Sequence, residues 1–224
     1  MIVTLDGPAG TGKSTVARAV AERLGFDFLD TGAMYRAIGL EAVRREADLE
    51  DPRELAFIAQ HCRIEFDWSQ NPPAVLLNAE PVTHLLRSGE ATRAASHVAT
   101  VPAIRERLVE QQREIGRHHP GLVTEGRDQG SVVFPEARFK FYLDADPAER
   151  ARRRAKQLRD RGEVVDEREI LEEMIDRDRR DTGRAVAPLI VPADAVHIDT
   201  TGISQEEVID RIVAAVRAGM GHRG

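Results

Sequence analysis

The sequence predicts an α/β protein in which helices cover both faces of a central parallel sheet. Short apolar runs rich in β-branched residues alternate with segments of helical periodicity along most of the 224-residue chain. The glycine-rich stretch GPAGTGKS separates the first such run from the first helical segment, where a strand passes into a helix. The length allows one substantial core but leaves little room for two full domains. We therefore expect one domain with insertions.

The opening of the chain is predicted to fold as strand, loop, helix, strand and helix. Residues 2–5 (IVTL) form a β-branched run, and residues 14–25 carry apolar side chains at helical spacing up to a glycine that suits a C-cap. Residues 26–30 (FDFLD) are predicted as a second strand and residues 33–46 as a second amphipathic helix. This order is typical of a sheet built from parallel strands.

The second half of the chain continues the alternation. Three further strands are predicted at residues 121–126, 138–145 and 195–201, and a last helix at residues 203–219. A core helix over residues 101–118 precedes them, with a proline suited to its first turn. Parallel sheets of this kind gather ligands at the carboxyl ends of their strands, so we expect functional residues there.

Residues 51–100 interrupt this pattern. They hold two short β-like pieces and a polar, helix-prone stretch, which predicts a small α+β insertion. A second segment, residues 146–169, is crowded with arginine. The core is then expected to comprise about residues 1–50, 101–145 and 170–224 of a single domain.

Composition excludes several classes of protein. A net charge of −6 argues against nucleic acid as the main partner, because that role normally needs a basic surface. No apolar stretch approaches the ~20 residues that a membrane span requires. Met1 leads directly into IVTLDG without the features of a signal peptide, so we expect a cytoplasmic protein. Cys62 is the single cysteine and cannot form an internal disulfide.

The stretch GPAGTGKS has the pattern G-x-x-x-x-G-K-S of a phosphate-binding loop. Its glycines let backbone N–H groups converge on phosphate oxygens, Lys13 adds a charge toward the β- and γ-phosphates, and the Ser14 hydroxyl can hold Mg²⁺. The residues predicted to bind the nucleoside triphosphate are Gly7, Pro8, Ala9, Gly10, Thr11, Gly12, Lys13, Ser14 and Thr15. A switch GTPase is disfavoured because no lysine follows an asparagine in an N-K-x-D motif. A motor ATPase is disfavoured because no apolar strand ending in Asp-Glu stands out.

Three further stretches combine charge with glycine near predicted strand or helix ends. They are DTGAMYR (30–36), EGRDQGSVVFP (125–135) and DRDRRDTGRAVAPL (176–189). Taken singly, they also fit a helix cap, a surface loop and a solvated helix face. Each holds one arginine placed to grip a phosphate, namely Arg36, Arg127 and Arg184. Their convergence on one sheet edge would suit a site that brings two anionic phosphates together.

The combination of GPAGTGKS, LDTGAMYR, EGRDQGSVVFP and GRAVAPL resembles the bacterial cytidylate kinase family over the whole chain. The resemblance implies the three-layer P-loop fold of nucleoside monophosphate kinases, with a monophosphate-binding insert at residues 51–100. It also implies a monomer that transfers the γ-phosphate of ATP to CMP or dCMP with Mg²⁺. Thr31 stands where other members have serine, and Glu125 where some have aspartate, but both keep the functional group.

The resemblance further implies which residues contact CMP. Thr31 and Tyr35 would lie at the edge of its site, and Arg36 would bind its phosphate. Ser96, Arg105 and Asp128 would read the cytosine. Arg127 would be a further phosphate ligand. In addition, a closing cluster would join arginines on phosphate to an aspartate on the ribose hydroxyls; its members are Arg177, Asp181 and Arg184.

The arginine-rich segment 146–169 is predicted to be a helical lid, with Gly162 as its hinge. Arg150, Arg153 and Arg154 would lie on one helix face and could swing over ATP, exclude water and neutralise the γ-phosphate. The alternative is a solvated basic face. With Lys13 and Arg177, these three arginines are the predicted transition-state stabilisers.

Two other functions are compatible with the motifs taken alone. One is a P-loop kinase for a different small acceptor, which would not need the base-reading set of Ser96, Arg105 and Asp128. The other is a nucleotide-dependent binding module that does not turn over. Formation of a diphosphate from a monophosphate distinguishes an enzyme from such a module.

Overall fold

The computed structural model describes residues 1–160 and 162–221. Arg161, in the predicted lid segment, and residues 222–224, at the end of the predicted core, lie outside the described residues. The chain divides into two compact units. The first comprises Met1–Asp27 and the chain from Gly121 onward, and the second comprises Phe28–Pro120. The predicted insertion, residues 51–100, falls within the second unit.

The strands and helices found in the described residues follow in chain order. The strands are β1 (Ile2–Asp6), β2 (Asp27–Asp30), β3 (Ile64–Asp67), β4 (Ala74–Leu77), β5 (Glu80–Pro81), β6 (Leu122–Glu125), β7 (Phe139–Asp144) and β8 (Val196–Asp199). The helices are α1 (Lys13–Leu24), α2 (Thr31–Arg44), α3 (Pro52–Gln60), α4 (Gly89–Val98), α5 (Pro102–His118), α6 (Pro147–Arg159), α7 (Glu167–Thr182) and α8 (Gln205–Gly221). A single π-helical turn covers Gln129–Val133.

The larger of the two sheets has five strands in the order β2-β6-β1-β7-β8. Strand β1 pairs in parallel with β6 and β7, and β7 pairs in parallel with β8. Val3, Leu5, Leu122 and Leu143 are fully buried in these strands, which explains why they appear in the sequence as continuous apolar runs. The predicted α/β fold class, with a central parallel sheet and flanking helices, is confirmed.

The second unit contains its own antiparallel sheet, β3-β4-β5, and its own apolar core. Helices α2 and α4 approach closely at Gly39, where a Cβ atom would lie 2.8 Å from the backbone nitrogen of Ala95. Helix α3 was not predicted from the hydrophobic periodicity of the sequence. Its signals were present: Pro52 is in the first turn, and the Asp51 carboxylate accepts the Arg53 N–H at 2.8 Å.

Two helices occupy the arginine-rich region. Helix α6 lies inside the predicted segment 146–169, whereas α7 begins near its end and continues to Thr182. The two helices pack through a small apolar cluster of Ala151, Ala155, Ile170 and Met174. Residues 160 and 162–166, between the two helices, are not helical. The assignment of residues 146–169 as a lid, and its movement, stay predictions. Among the described residues, no helix has the length and apolar character needed to cross a membrane.

Candidate active site

The phosphate loop begins immediately after β1. Gly7 adopts a φ of +142°, and a Cβ atom there would lie 1.9 Å from the Leu143 carbonyl oxygen, so a side chain cannot be accommodated. Gly10 and Gly12 also have positive φ angles, of 83° and 89°. Gly12 is the N-cap of α1, and no side chain of the described residues caps this helix. The loop therefore presents the backbone amides and positive dipole end of α1 to an anion.

Lys13 is buried at the start of α1. Its Nζ atom donates to the carbonyl oxygen of Pro8 at 2.6 Å, which folds the ammonium back over its own loop. Burial lowers the pKa of Lys13 well below its ordinary value, and the nearby Arg127 guanidinium lowers it further. A polyphosphate in the loop would supply the counter-charge that favours the ammonium form.

Ser14 is paired with a carboxylate from the end of β6. Its Oγ atom donates to Oε1 of Glu125 at 2.6 Å, and Glu125 is buried. The two side chains are oxygen ligands of the hard type that Mg²⁺ takes, usually with phosphate oxygens and water completing its shell. No group of three or more His, Cys, Asp or Glu suited to a metal occurs in the described part of the chain. This pair thus fits a magnesium ion that is bound together with a nucleotide.

An arginine cluster surrounds the buried carboxylate of Asp181 at the end of α7. Arg127 Nε donates to Asp181 Oδ2 at 2.8 Å, and Arg184 pairs with the other oxygen, Oδ1. Although burial acts to raise it, the pKa of Asp181 falls below its ordinary value because of Arg127, Arg184 and Arg177. The backbone of Asp181 also accepts the Leu189 N–H at 2.8 Å, which holds the GRAVAPL segment against the helix. Arg184 and Arg127 therefore both contact Asp181, whereas the role of these residues toward a substrate stays a prediction.

Among the predicted lid arginines, Arg150 is buried and bound to three partners. Nε donates to the Ala145 carbonyl at 3.0 Å, Nη1 donates to the Ala9 carbonyl at 3.0 Å, and Nη2 pairs with Asp178 Oδ2 at 2.7 Å. Arg150 thereby links the phosphate loop to α7. Met174 supports the same contact, since a Cβ atom on Gly10 would lie 2.6 Å from its Cε.

The other two lid arginines have different surroundings. Arg153 donates to the Thr200 carbonyl at 2.7 Å and to its hydroxyl at 3.1 Å, and its Nε donates to Glu149 at 2.9 Å. It is therefore held at the end of β8, whereas Arg150 contacts the phosphate loop. Arg154 is half-buried on α6. Although these arginines were predicted to lie on one helix face, Arg150 and Arg153 contact different parts of the protein.

In the second unit, the DTGAMYR stretch forms the end of β2 and the start of α2. Asp30 caps α2 through the Ala33 N–H at 3.0 Å, and its second oxygen pairs with Arg36 Nη2 at 2.7 Å. The guanidinium lies over Gly32, where a Cβ atom would be 2.9 Å from Arg36 Nη1. Thr31 follows Asp30 in the sequence and is buried in the first turn of α2.

Two of the predicted base-reading residues also lie in the second unit. Arg105 is buried on α5, its guanidinium 5.7 Å from the Tyr35 ring centroid, and its Nη1 donates to the Ala99 carbonyl at 3.2 Å. Ser96 is buried on α4. Tyr35 and Arg105 are therefore brought together, which their separation in sequence did not reveal.

The third predicted base-reading residue, Asp128, is buried in the first unit at the start of the π-helical turn. A neighbouring carboxylate, Asp6, was not singled out from the sequence although it directly precedes the phosphate loop. Asp6 accepts the backbone N–H groups of Gln129 at 2.8 Å and Gly130 at 2.7 Å. Burial raises the pKa of Asp6 to about 7, against the opposing effect of these two hydrogen bonds.

Comparisons with known proteins show the family to which the chain belongs. A model of the cytidylate kinase family matches residues 3–218. The chain is 47% identical to a cytidylate kinase from Pelotomaculum thermopropionicum, covering 97% of this chain and 96% of that one. It is 43% identical to a cytidylate kinase from Shewanella loihica, covering 96% and 94%. An uncharacterized protein from Eubacterium ventriosum has a similar fold, with a TM-score of 0.53 at 14% identity over 97% of this chain and 98% of that one. The resemblance seen in the motifs is confirmed, and the chain belongs to the cytidylate kinase family.

Proposed function

We propose that this protein transfers the γ-phosphate of ATP to CMP and dCMP, forming ADP with CDP or dCDP, in pyrimidine nucleotide metabolism. The observation that carries the proposal is the arrangement of the first unit. This unit contains both a phosphate loop with a buried lysine and a cluster formed by Arg127, Asp181 and Arg184. Such an arrangement suits two phosphate groups that must be held close despite their mutual repulsion. Membership of the family supplies the identity of the acceptor.

Phosphoryl transfer between two nucleotides depends on alignment and charge stabilisation and needs no covalent enzyme intermediate. The loop amides and Lys13 would hold the β- and γ-phosphates of ATP, and the CMP phosphate would attack the γ-phosphorus in line. That phosphate is already largely ionised near neutral pH, so no general base is required. Arg127, Arg177 and Arg184 would stabilise the charge that develops on the transferred group.

The structure suggests different tasks for the lid arginines. Arg150 would act from the phosphate loop, because it already donates to the Ala9 carbonyl. Arg153 and Arg154 would approach the γ-phosphate only after α6 moves, since Arg153 is bound to Thr200 at the end of β8. Closure of this helical pair would exclude water from the reaction.

Magnesium would be held by the Ser14 hydroxyl and, directly or through water, by Glu125. When bound, Mg²⁺ neutralises phosphate charge and orients the polyphosphate. Glu125 would also orient the Ser14 hydroxyl through their hydrogen bond. The carboxylate therefore contributes whether or not it contacts the ion.

On the acceptor side, we assign the CMP phosphate to Arg36, with Thr31 and Tyr35 beside it. Asp30 holds the Arg36 guanidinium in place before any substrate arrives. The cytosine is assigned to Ser96, Arg105 and Asp128, and the ribose hydroxyls to Asp181. Because Asp181 is paired with two arginines, ribose binding would add to an existing network. By the same family resemblance, we infer a cytoplasmic monomer.

The test is incubation of the purified protein with ATP, Mg²⁺ and a panel of nucleoside monophosphates, followed by chromatographic separation of the products. We expect CDP and dCDP with equal amounts of ADP, and little product from AMP or GMP. ADP formed only with a non-nucleotide acceptor would indicate a P-loop kinase of different specificity. Binding of ATP without any diphosphate product would indicate a module that does not turn over.

A further inference from the structure

The carboxylate of Asp6 has no part in the chemistry assigned above, yet it is buried within the first unit. It is the last residue of β1, is 1% exposed, and directly precedes the phosphate loop. A buried carboxylate needs hydrogen-bond donors to offset its desolvation. Each oxygen of Asp6 accepts one backbone N–H, Oδ1 from Gln129 and Oδ2 from Gly130.

These two N–H groups open the π-helical turn that follows Arg127 and Asp128. Helical turns leave their first amides without partners inside the turn, and Asp6 supplies acceptors from a strand 123 residues away. The turn itself is closed by the Phe134 N–H, which donates to the Gln129 carbonyl at 2.7 Å. Asp6 therefore anchors a turn that is already defined by its own backbone.

Two further contacts fix the same turn against the sheet. Thr124 on β6 donates from Oγ1 to Gln129 Oε1 at 2.8 Å. Gly130 lies so close to β1 that a Cβ atom would be 2.9 Å from Thr4 Oγ1 and 3.2 Å from Lys140 Cδ. The turn is therefore packed closely against the sheet, and the two hydrogen bonds to Asp6 hold it there.

The geometry points to Asp6 as a positioning residue that fixes the Arg127–Gly130 segment relative to the phosphate loop, so that Arg127 meets the reacting phosphates in a set orientation. The inference rests on the proposed kinase function. Asp6 joins the two phosphate-binding segments because it is bonded to one and continuous in sequence with the other. Arg127 is in turn bonded to Asp181, so misplacing the turn would also disturb the closing cluster.

Asp6→Asn tests the inference with little change in volume. Asparagine offers one carbonyl oxygen and an NH₂ group, so it accepts one of the two N–H groups and opposes the other with a donor. We expect kcat to fall by at least about tenfold, because small misalignments of reacting groups are costly, while the KM for ATP changes little. The amides of residues 129–130 should exchange with deuterium faster, with the change concentrated in that peptide.

A double-variant comparison separates positioning from a general loss of stability. If Asp6 acts through Arg127, the kcat loss caused by Asp6→Asn must shrink toward onefold in an Arg127→Ala background. Multiplicative losses in the double variant would overturn the inference, as would unchanged hydrogen exchange at residues 129–130. Ile212→Val, a buried substitution in α8 far from these contacts in sequence, controls for a modest loss of stability and should keep its kcat.

Gly130→Ala provides a second route if Asp6→Asn fails to fold. It leaves every charge in place and displaces the turn through the contacts with Thr4 and Lys140. The same fall in kcat is expected, and normal kcat in this variant would overturn the inference. Wild-type protein lacking CMP kinase activity would instead refute the proposed function, so the two failures are distinguishable.

Discussion

Arg150 should stabilise the protein and order its phosphate loop through the same buried guanidinium. The Arg150 and Asp178 side chains are 4% and 22% exposed and 2.7 Å apart. Replacing Arg150 by methionine keeps an apolar stem of similar length but leaves the Asp178 carboxylate without this partner. It also removes the donor to the Ala9 carbonyl in the loop.

Breaking one side of a buried ion pair costs about 3–5 kcal/mol, and the partial exposure of Asp178 places the expected value near 3 kcal/mol. For a chain of this size that corresponds to a fall in Tm of roughly 6–12 °C. The KM for ATP should rise as well, because the loop carbonyl at Ala9 loses its donor. Differential scanning calorimetry and initial-rate kinetics with varied ATP provide the two measurements.

Two variants sharpen this experiment. Arg150→Met combined with Asp178→Asn removes the uncompensated charge and should recover part of the lost Tm, but not the KM for ATP. Arg152→Ala is the matched control on the same helix. The Arg152 side chain is 69% exposed, and within residues 1–160 and 162–221 it pairs only with Glu149. A Tm for Arg150→Met no lower than that of Arg152→Ala would refute the reasoning.

Three further outcomes are expected. Lys13→Ala should lower kcat by about 100-fold or more while leaving CMP binding largely intact; ADP release and calorimetric CMP titration check it, and near-normal turnover would contradict it. Asp128→Ala and Arg105→Ala should each reduce kcat/KM more for CMP than for UMP, because they are assigned to the cytosine; equal losses in steady-state assays would argue against that role. Asp30→Asn should raise the KM for CMP several-fold with the KM for ATP unchanged, since it weakens the pair that orients Arg36; a change confined to ATP would count against it.

Several features of the fold could be predicted because their signals are local. Strands β1, β6 and β7 are buried on both faces, and a sheet of that kind produces the apolar runs from which they were predicted. Helix α3 and the π-helical turn were missed. Helix α3 is short, and the π-helical turn covers only five residues and is anchored by a carboxylate from a distant part of the chain.

The candidate site divides in the same way. Lys13 and Ser14 were predicted from the loop motif, and Arg36, Arg127 and Asp181 from the family motifs. Their partners did not follow, because hydrogen bonds between distant segments leave no periodic trace in the sequence. Glu125 was noted only as a variation on the family pattern, although it accepts the Ser14 hydroxyl across 111 residues.

The sequence by itself determined the fold class, the phosphate loop and the family, because turn chemistry, periodicity and motif spacing are properties of neighbouring residues. Only the tertiary structure decided which partners the charged side chains bind and how deeply they are buried. It buries Arg150 between the loop and α7, separates it from Arg153, and binds Asp6 to the π-helical turn. Those outcomes depend on which donors and acceptors folding places within hydrogen-bond distance, and on how deeply each charge is withdrawn from water.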